Sequence, residues 1–240
     1  LKPGIKQLHH QALVEHATMH AARQVGVNVA STEFLCFEDQ WAIVVERFDR
    51  DIDADGTVTR FHQEDFCQAL GRTPDRKYEA NRGPTVDNMV QLIHKQSTVK
   101  VDDLHALADF LLINVVAGAP DGHSKNISML HLPEGSWIAP LYDLASAMVY
   151  NKGDVDRTVA IAVGSERQVS RIRRKQWEQA ANKLGLPPDR LLSRVALAAE
   201  EFPDSFRNAL EQLSGAPGVD EVGERADALQ THCAMILDGL

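Results

Sequence analysis

Ala119-Pro120-Asp121-Gly122-His123-Ser124-Lys125-Asn126, with Leu141-Tyr142-Asp143-Leu144 beginning fifteen residues after its Asn, is the stretch that decides how this chain folds. Upstream, Leu111-Leu112-Ile113-Asn114-Val115-Val116 is an apolar run of helical character, broken by Ala117-Gly118-Ala119-Pro120. Downstream, Ile127-Ser128-Met129-Leu130-His131-Leu132 alternates apolar and polar like a short strand. Pro133-Glu134-Gly135 is a turn, and a second strand leads to Asp143. The order is therefore helix, polar loop, strand, turn, strand, Asp. Asp121, Asn126 and Asp143 supply the polar minimum for phosphoryl transfer. One carboxylate positions a hydroxyl, while a carboxylate and an amide hold Mg²⁺ against ATP. Asp-x-x-x-x-Asn by itself is common by chance, and its bland reading is a polar loop between a helix and a hairpin.

The spacing of Asp121 and Asn126 is that of the protein-kinase catalytic loop, H-R-D-x-x-x-x-N. Composition permits such an enzyme. The chain has 240 residues, enough for one large domain or two small lobes, and is 44% apolar and 25% charged. A formal net charge of −9 argues against an intrinsic nucleic-acid surface. Cys36, Cys67 and Cys233 show no paired or metal-ligand spacing and read as buried thiols of a reducing, cytoplasmic compartment. No apolar stretch is long enough to span a membrane, and no signal peptide is visible. The chain opens on Leu1 rather than Met, so its start is expected to lie upstream.

Apolar periodicity predicts a helix between Gln7 and Val25, stopped by Gly26. Strands are predicted over Ser31–Phe37 and Trp41–Glu46, with Thr57–Phe61 pairing after another turn. From Gln63 the pattern is mostly helical, over Gln63–Leu70, Val86–His94, Val101–Val116, Arg174–Leu184, Pro187–Glu201, Ser205–Leu213 and Val222–Leu240. The expected fold class is α+β, with a partial mixed N-lobe over residues 1–61 and an all-helical C-lobe over 62–240.

Two metal signals are weaker. Asp51-Ile52-Asp53-Ala54-Asp55-Gly56 matches the first half of a calcium loop, but its twelfth position is His62 rather than a bidentate Glu. Turn chemistry between strands explains it better. His16 and His20 are four apart on the first helix but belong to no H-E-x-x-H, and an exposed helix face is expected. Arg157, Arg167, Arg171, Arg173 and Arg174, with Asn151-Lys152-Gly153, form the most basic local stretch. A solvated face is its default reading; a surface for a phosphorylated segment or an RNA-bound target is the sharper one.

Taken in order, Val45-Glu46-Arg47-Phe48-Asp49-Arg50, His62-Gln63-Glu64-Asp65-Phe66-Cys67-Gln68-Ala69-Leu70-Gly71, Lys77-Tyr78-Glu79 with Gly83-Pro84, Asp121 to Asn126, and Pro140 to Leu144 with Ser146 resemble the HipA family. These are bacterial serine/threonine kinases, best known as toxins of toxin–antitoxin modules. The resemblance implies a two-lobed kinase-like fold and the cofactors ATP and Mg²⁺. It makes Asp121 the catalytic base, and Asn126 and Asp143 the Mg²⁺ ligands. His123 and Lys125 would lie beside the ATP phosphates, with Ser124 in the same loop and Tyr142 next to Asp143 also in contact with the cofactor. Glu46, Arg47 and Phe48 would be the hinge whose backbone reads adenine. Lys2 would touch the α- and β-phosphates, with Glu15 as its helical partner.

The resemblance further implies an aminoacyl-tRNA synthetase as protein substrate, inhibition of translation and growth, and a role in persistence. The implied partner is a HipB-like DNA-binding antitoxin, through which DNA would mainly be reached. Arg82 departs from the family's usual Gly, and the family's N-terminal subdomain and phosphate-covering loop have no counterpart here. Two other readings stay open: a small-molecule kinase of the aminoglycoside or choline type, and a non-catalytic subunit of a split toxin–antitoxin complex.

Overall fold

The computed structural model describes residues 1–4, 8–151, 153, 155 and 157–240. Gln7 and Lys152 of the expectations above lie outside the described residues. The chain runs β1 (Lys2–Pro3), α1 (Gln11–Gln24), β2 (Thr32–Phe37), β3 (Gln40–Val45), β4 (Arg50–Ile52), β5 (Val58–Arg60), β6 (His62–Asp65), α2 (Phe66–Ala69), α3 (Val86–Gln96), α4 (Lys100–Val116), β7 (Ser128–Leu132), β8 (Gly135–Ile138), β9 (Thr158–Val163), β10 (Glu166–Gln168), α5 (Arg174–Leu184), α6 (Pro188–Glu211), α7 (Val219–Arg225) and α8 (Asp227–Leu237). The α+β class is as expected, but residues 62–240 are not all-helical: β6, β7, β8, β9 and β10 lie there, each satisfied by pairing with a neighbouring strand.

Among the described residues, four small antiparallel sheets frame the helices: β1-β3-β2, β4-β5, β6-β7-β8 and β10-β9. β2 and β3 are rich in aromatic and β-branched residues and pair from Thr32↔Val45 to Phe37↔Gln40. Lys2 pairs with Ile43, which places β1 at the edge beside β3. Asp51 to Gly56 form a hairpin tip, as turn chemistry suggested. Asp53 N–H donates to Thr57 O at 3.0 Å, Thr57 N–H to Asp55 Oδ1 at 2.9 Å, and Gly56 has φ 84°.

The core lies among α1, α4, α5, α6 and α8. Trp177, Phe66, Phe110, Phe202 and Phe206 are among its largest fully buried side chains. Each contributes roughly 1.5–3 kcal/mol relative to exposure. No helix among the described residues is long and apolar enough to cross a membrane.

Several local expectations are corrected. Residues 63–65 are strand, not helix, because β6 pairs with β7 from His62↔His131 to Asp65↔Ser128. The helix starts only at Phe66, where the Asp65 side chain accepts from Gln68 N–H in a capping box. Pro187–Glu201 and Ser205–Leu213 form one helix, α6, which continues through Pro203. A proline removes a backbone hydrogen bond there. Buried Ala199, Phe202, Phe206 and Leu210 on both sides hold the helix together. At the C-terminus, α7 and α8 replace a single long helix. A further hairpin, β9–β10, occupies part of the basic stretch.

His16 is buried rather than exposed, because α1 packs between β2–β3 and α6. Its Nδ1 lies 2.9 Å from Thr32 Oγ1. Cys67 and Cys233 are buried, but Cys36, beside the β2–β3 turn, is exposed. The basic stretch is partly internal wiring. Arg157 donates to Tyr150 O, Arg173 to Met235 O, and Arg174 binds Glu178 and the Leu240 carbonyl.

Candidate active site

The loop after α4 is built on a close approach. A Cβ on Gly122 would stand 1.9 Å from Asn114 Oδ1, so only glycine fits over α4 here. Asn114 is buried and its Nδ2 donates to Phe110 O at 2.7 Å. Beyond Gly122 the loop closes on itself. His123 N–H donates to Asp121 O at 2.7 Å, and Asn126 N–H to His123 O at 2.8 Å. Asn126 Nδ2 also donates to Asp121 O, at 2.9 Å, which leaves its Oδ1 as the atom free to meet a cation. The Asp121 carboxylate is 62% exposed.

A segment passed over as a catalytic candidate shapes this loop. Tyr78 O–H donates to Asp121 Oδ1, and its ring meets the His123 ring edge-on at 5.1 Å. Burial, and then the neighbouring Asp121 carboxylate, push the Tyr78 hydroxyl well above its ordinary pKa, so it stays a donor. Lys77 O accepts from Ser124 Oγ at 2.8 Å and from Ser124 N–H at 3.2 Å. Glu79 Oε2 accepts from Ala162 N–H at 2.7 Å. The only sequence signal for these roles was the Lys77-Tyr78-Glu79 motif itself.

Ser124 and Lys125 face the framework. Ser124 is fully buried, with Cys67 Sγ 3.0 Å from its Oγ. Lys125 Nζ is 2.6 Å from Asp65 Oδ2. His123 is buried, and burial lowers its pKa against the opposing pull of Asp121. It is therefore a neutral imidazole near pH 7.

Asp143 follows Leu141, whose backbone is tied to the α1–β2 connection. Leu141 N–H donates to Asn28 O at 2.9 Å and Ala30 N–H to Leu141 O at 2.8 Å. Asp143 has φ 60°, a left-handed conformation that Asp and Asn tolerate better than other side chains. Its carboxylate meets Lys2 Nζ, which also contacts Glu15 Oε2 at 2.9 Å. Lys2 and Glu15 are thus partners in space. Burial works against the Lys2 charge, but Asp143 and Glu15 outweigh it and raise its pKa. Glu15 is raised by burial, with Lys2 opposing. Gln11 Nε2 donates to Glu15 at 2.8 Å.

Two cavities meet at Lys2 and Asp143. One, of about 260 Å³, is lined by Pro120, Asp121, Gly122 and Ser146 among others. The other, of about 330 Å³, is lined by Glu46, Arg47, Phe48, Gln63 and Tyr142. Phe48 and Tyr142 rings lie 5.7 Å apart in its wall. Tyr142 O–H donates to Lys125 O at 2.7 Å and lies 2.6 Å from Ser128 Oγ. Burial pushes the Tyr142 pKa up to about 12. Glu46 N–H is used by Ser31 O, at 2.9 Å, so that donor is not offered to a ligand edge. The Arg47 side chain turns to Asp49, at 2.6 Å. Asp121, Asp143, Lys2 and the 46–48 segment therefore share one cleft, while His123, Ser124, Lys125 and Asn126 line neither cavity.

The Asp143 carboxylate, which lines both cavities, is a hard oxygen donor that fits a cation such as Mg²⁺; Asn126 lines neither cavity but belongs to the same loop as Asp121.

The family model described as the HipA-like C-terminal domain matches residues 1–206. A Sinorhizobium fredii protein named as a kinase, Y4mE, is 34% identical over 214 residues, covering 89% of this chain and 50% of that protein. The serine/threonine-protein kinase toxin HipA of Shewanella oneidensis is 31% identical over 227 residues, covering 90% of this chain and 51% of the toxin. The chain thus spans about half the length of these curated relatives. Among solved structures, a Shewanella oneidensis complex of HipA, HipB and operator DNA aligns with TM-score 0.86 and 29% identity, covering 96% of this chain and 57% of the matched chain. The Helicobacter pylori proinflammatory kinase CtkA aligns with TM-score 0.66 at 12% identity, covering 95% and 84%, a likeness of fold alone.

Proposed function

The chain belongs to the HipA-like C-terminal domain family, and from that premise we propose that it forms the catalytic part of a serine/threonine protein kinase. The observation that carries the proposal is the shared cleft, in which the Asp121 cavity and the Phe48–Tyr142 cavity meet at Lys2 and Asp143. ATP would supply the phosphoryl group, with Mg²⁺ offsetting its charge.

The Asp121 carboxylate accepts the proton of the substrate hydroxyl, and Tyr78 O–H fixes which of its oxygens faces the cleft. Asn126 Oδ1 and Asp143 hold the cation. Lys2, steadied by Glu15, stands at the cavity junction to meet the phosphates. The Glu46 carbonyl and Phe48 N–H read the adenine edge, and the Phe48 and Tyr142 rings wall it. Ser124 and Lys125 act by holding the loop, to Lys77 and Asp65 respectively. The HipA–HipB–DNA neighbour supports an antitoxin as partner. The family resemblance supports an aminoacyl-tRNA synthetase as target, with arrest of translation as the outcome.

The test is Asp121→Asn in the full-length protein, assayed by radiolabel transfer from ATP to protein acceptors. Transfer should be nearly abolished while the fold is kept. Transfer persisting at more than about a few per cent, against the hundredfold or greater loss a missing base gives, would refute Asp121 as the base.

A further inference from the structure

On the strands beyond the cleft, we infer a binding site for a divalent cation of the zinc class, formed by His62, Glu64 and His131. The three side chains come from paired strands. His62 and His131 are direct cross-strand partners in β6–β7, and Glu64, two residues on from His62, shares its face. Their rings stack at 5.4 Å, and one ligand atom from each of the three residues lies within 4.8 Å of the other two.

The state of His131 points to a ligand. Its Nε2 is buried and makes no hydrogen bond. Glu64 Oε2 is 3.4 Å away, close but without hydrogen-bond geometry. Its other nitrogen, Nδ1, lies 2.8 Å from Ser136 Oγ. An Nδ1–H donating to that hydroxyl leaves Nε2 with a lone pair beside Glu64 and within reach of His62. Metal-binding histidines are oriented in this way by a partner on the second nitrogen. A buried lone pair without a donor is otherwise costly.

The donor set decides the class of ion. Two imidazoles and one carboxylate suit zinc, and leave a fourth position open. Tetrahedral bonds near 2.0–2.2 Å require donors about 3.4 Å apart. The exposed His62 side chain can swing in to close the gap. The bound ion would staple β6, whose Gln63 lines the Phe48–Tyr142 cavity and whose Asp65 anchors Lys125, to β7, which begins two residues after Asn126.

The experiment titrates zinc chloride into untagged, chelator-stripped full-length protein, followed by calorimetry. Asp143→Asn is titrated alongside, to separate this site from the cleft. We expect one zinc per chain with micromolar or tighter affinity, retained in Asp143→Asn. Affinity should fall more than about tenfold in His62→Ala, and by about tenfold in Ser136→Ala, the usual range for a ligand's orienting partner. Because His62 is exposed, its replacement leaves the fold intact, and circular dichroism verifies this. Zinc-edge absorption should show imidazole and oxygen ligands. Undiminished binding in His62→Ala, sulfur ligation, or no micromolar site would each overturn the inference.

Discussion

Asp143 carries two constraints in one residue. Its carboxylate meets Lys2, and its backbone sits at φ 60°. Alanine there would add backbone strain to the loss of charge, so Asp143→Asn is the cleaner probe. We expect it to weaken ATP binding in Mg²⁺ but to leave binding in EDTA little changed; equal weakening in both would assign the effect to misfolding. Tyr78→Phe tests the partner of Asp121. Losing a hydrogen bond to a charged group costs about 1.5–3 kcal/mol, so kcat should fall roughly ten- to a hundredfold. ATP affinity should hold, because Tyr78 lines neither cavity; a change confined to KM would contradict this role. At this scale the sequence singled out Asp121 and Asp143 through their own chemistry, and both line one cavity. It offered Tyr78 only within the Lys77-Tyr78-Glu79 motif and gave no role for it, because that role depends on meeting a residue 43 positions away. Lys125 was expected at the phosphates, but an available carboxylate on Asp65 claims it.

Among the elements, α4 and the loop beyond it are joined by a fit that admits no side chain. Gly122→Ala should destabilise the protein by about 1–3 kcal/mol, the usual cost of overpacking, read by denaturant unfolding. Asn114→Ala should partly relieve it in the double variant, since the clash is with that amide. Helix α1 makes a prediction about acid. Burial, and then nearby His20, lower the His16 pKa from 6.5 to about 4. The fold thus favours neutral His16. Its contribution is fully present above pH 6.5 and is lost as pH falls from there to about 4. The full shift corresponds to about 3 kcal/mol. His16→Gln should flatten the fall in stability over that window; an unchanged slope would show that other groups carry it. Periodicity located most helices, including α5 over its whole length. It failed at residues 63–65, where pairing with β7 overrides local preference. It also failed at Pro203, where the packed phenylalanines outweigh the lost hydrogen bond.

For the whole molecule, the cleft is assembled from distant segments: Lys2 and Asp143 are separated by 141 positions, and Lys2 and Glu15 by 13. Sequence showed the catalytic loop as one contiguous motif, but the cleft's second wall only through family resemblance, because no local pattern encodes contact between β1, α1 and the Asp143 loop. That contact sets an order of arrival. Among the side chains lining the two cavities, Lys2 and Arg47 are outnumbered by the carboxylates of Glu15, Glu46, Asp49, Asp121 and Asp143. The lining is therefore net negative, and neutral His123 does nothing to offset it. A bare triphosphate would be repelled at the threshold, whereas a divalent ion held at Asp143 would supply the missing charge and compete with Lys2 for that carboxylate. Association of metal-free nucleotide should quicken as salt is added, because screening blunts repulsion, and association of the magnesium complex should respond far less. Stopped-flow binding at two ionic strengths would read that asymmetry directly, and the same salt response with and without magnesium would refute it.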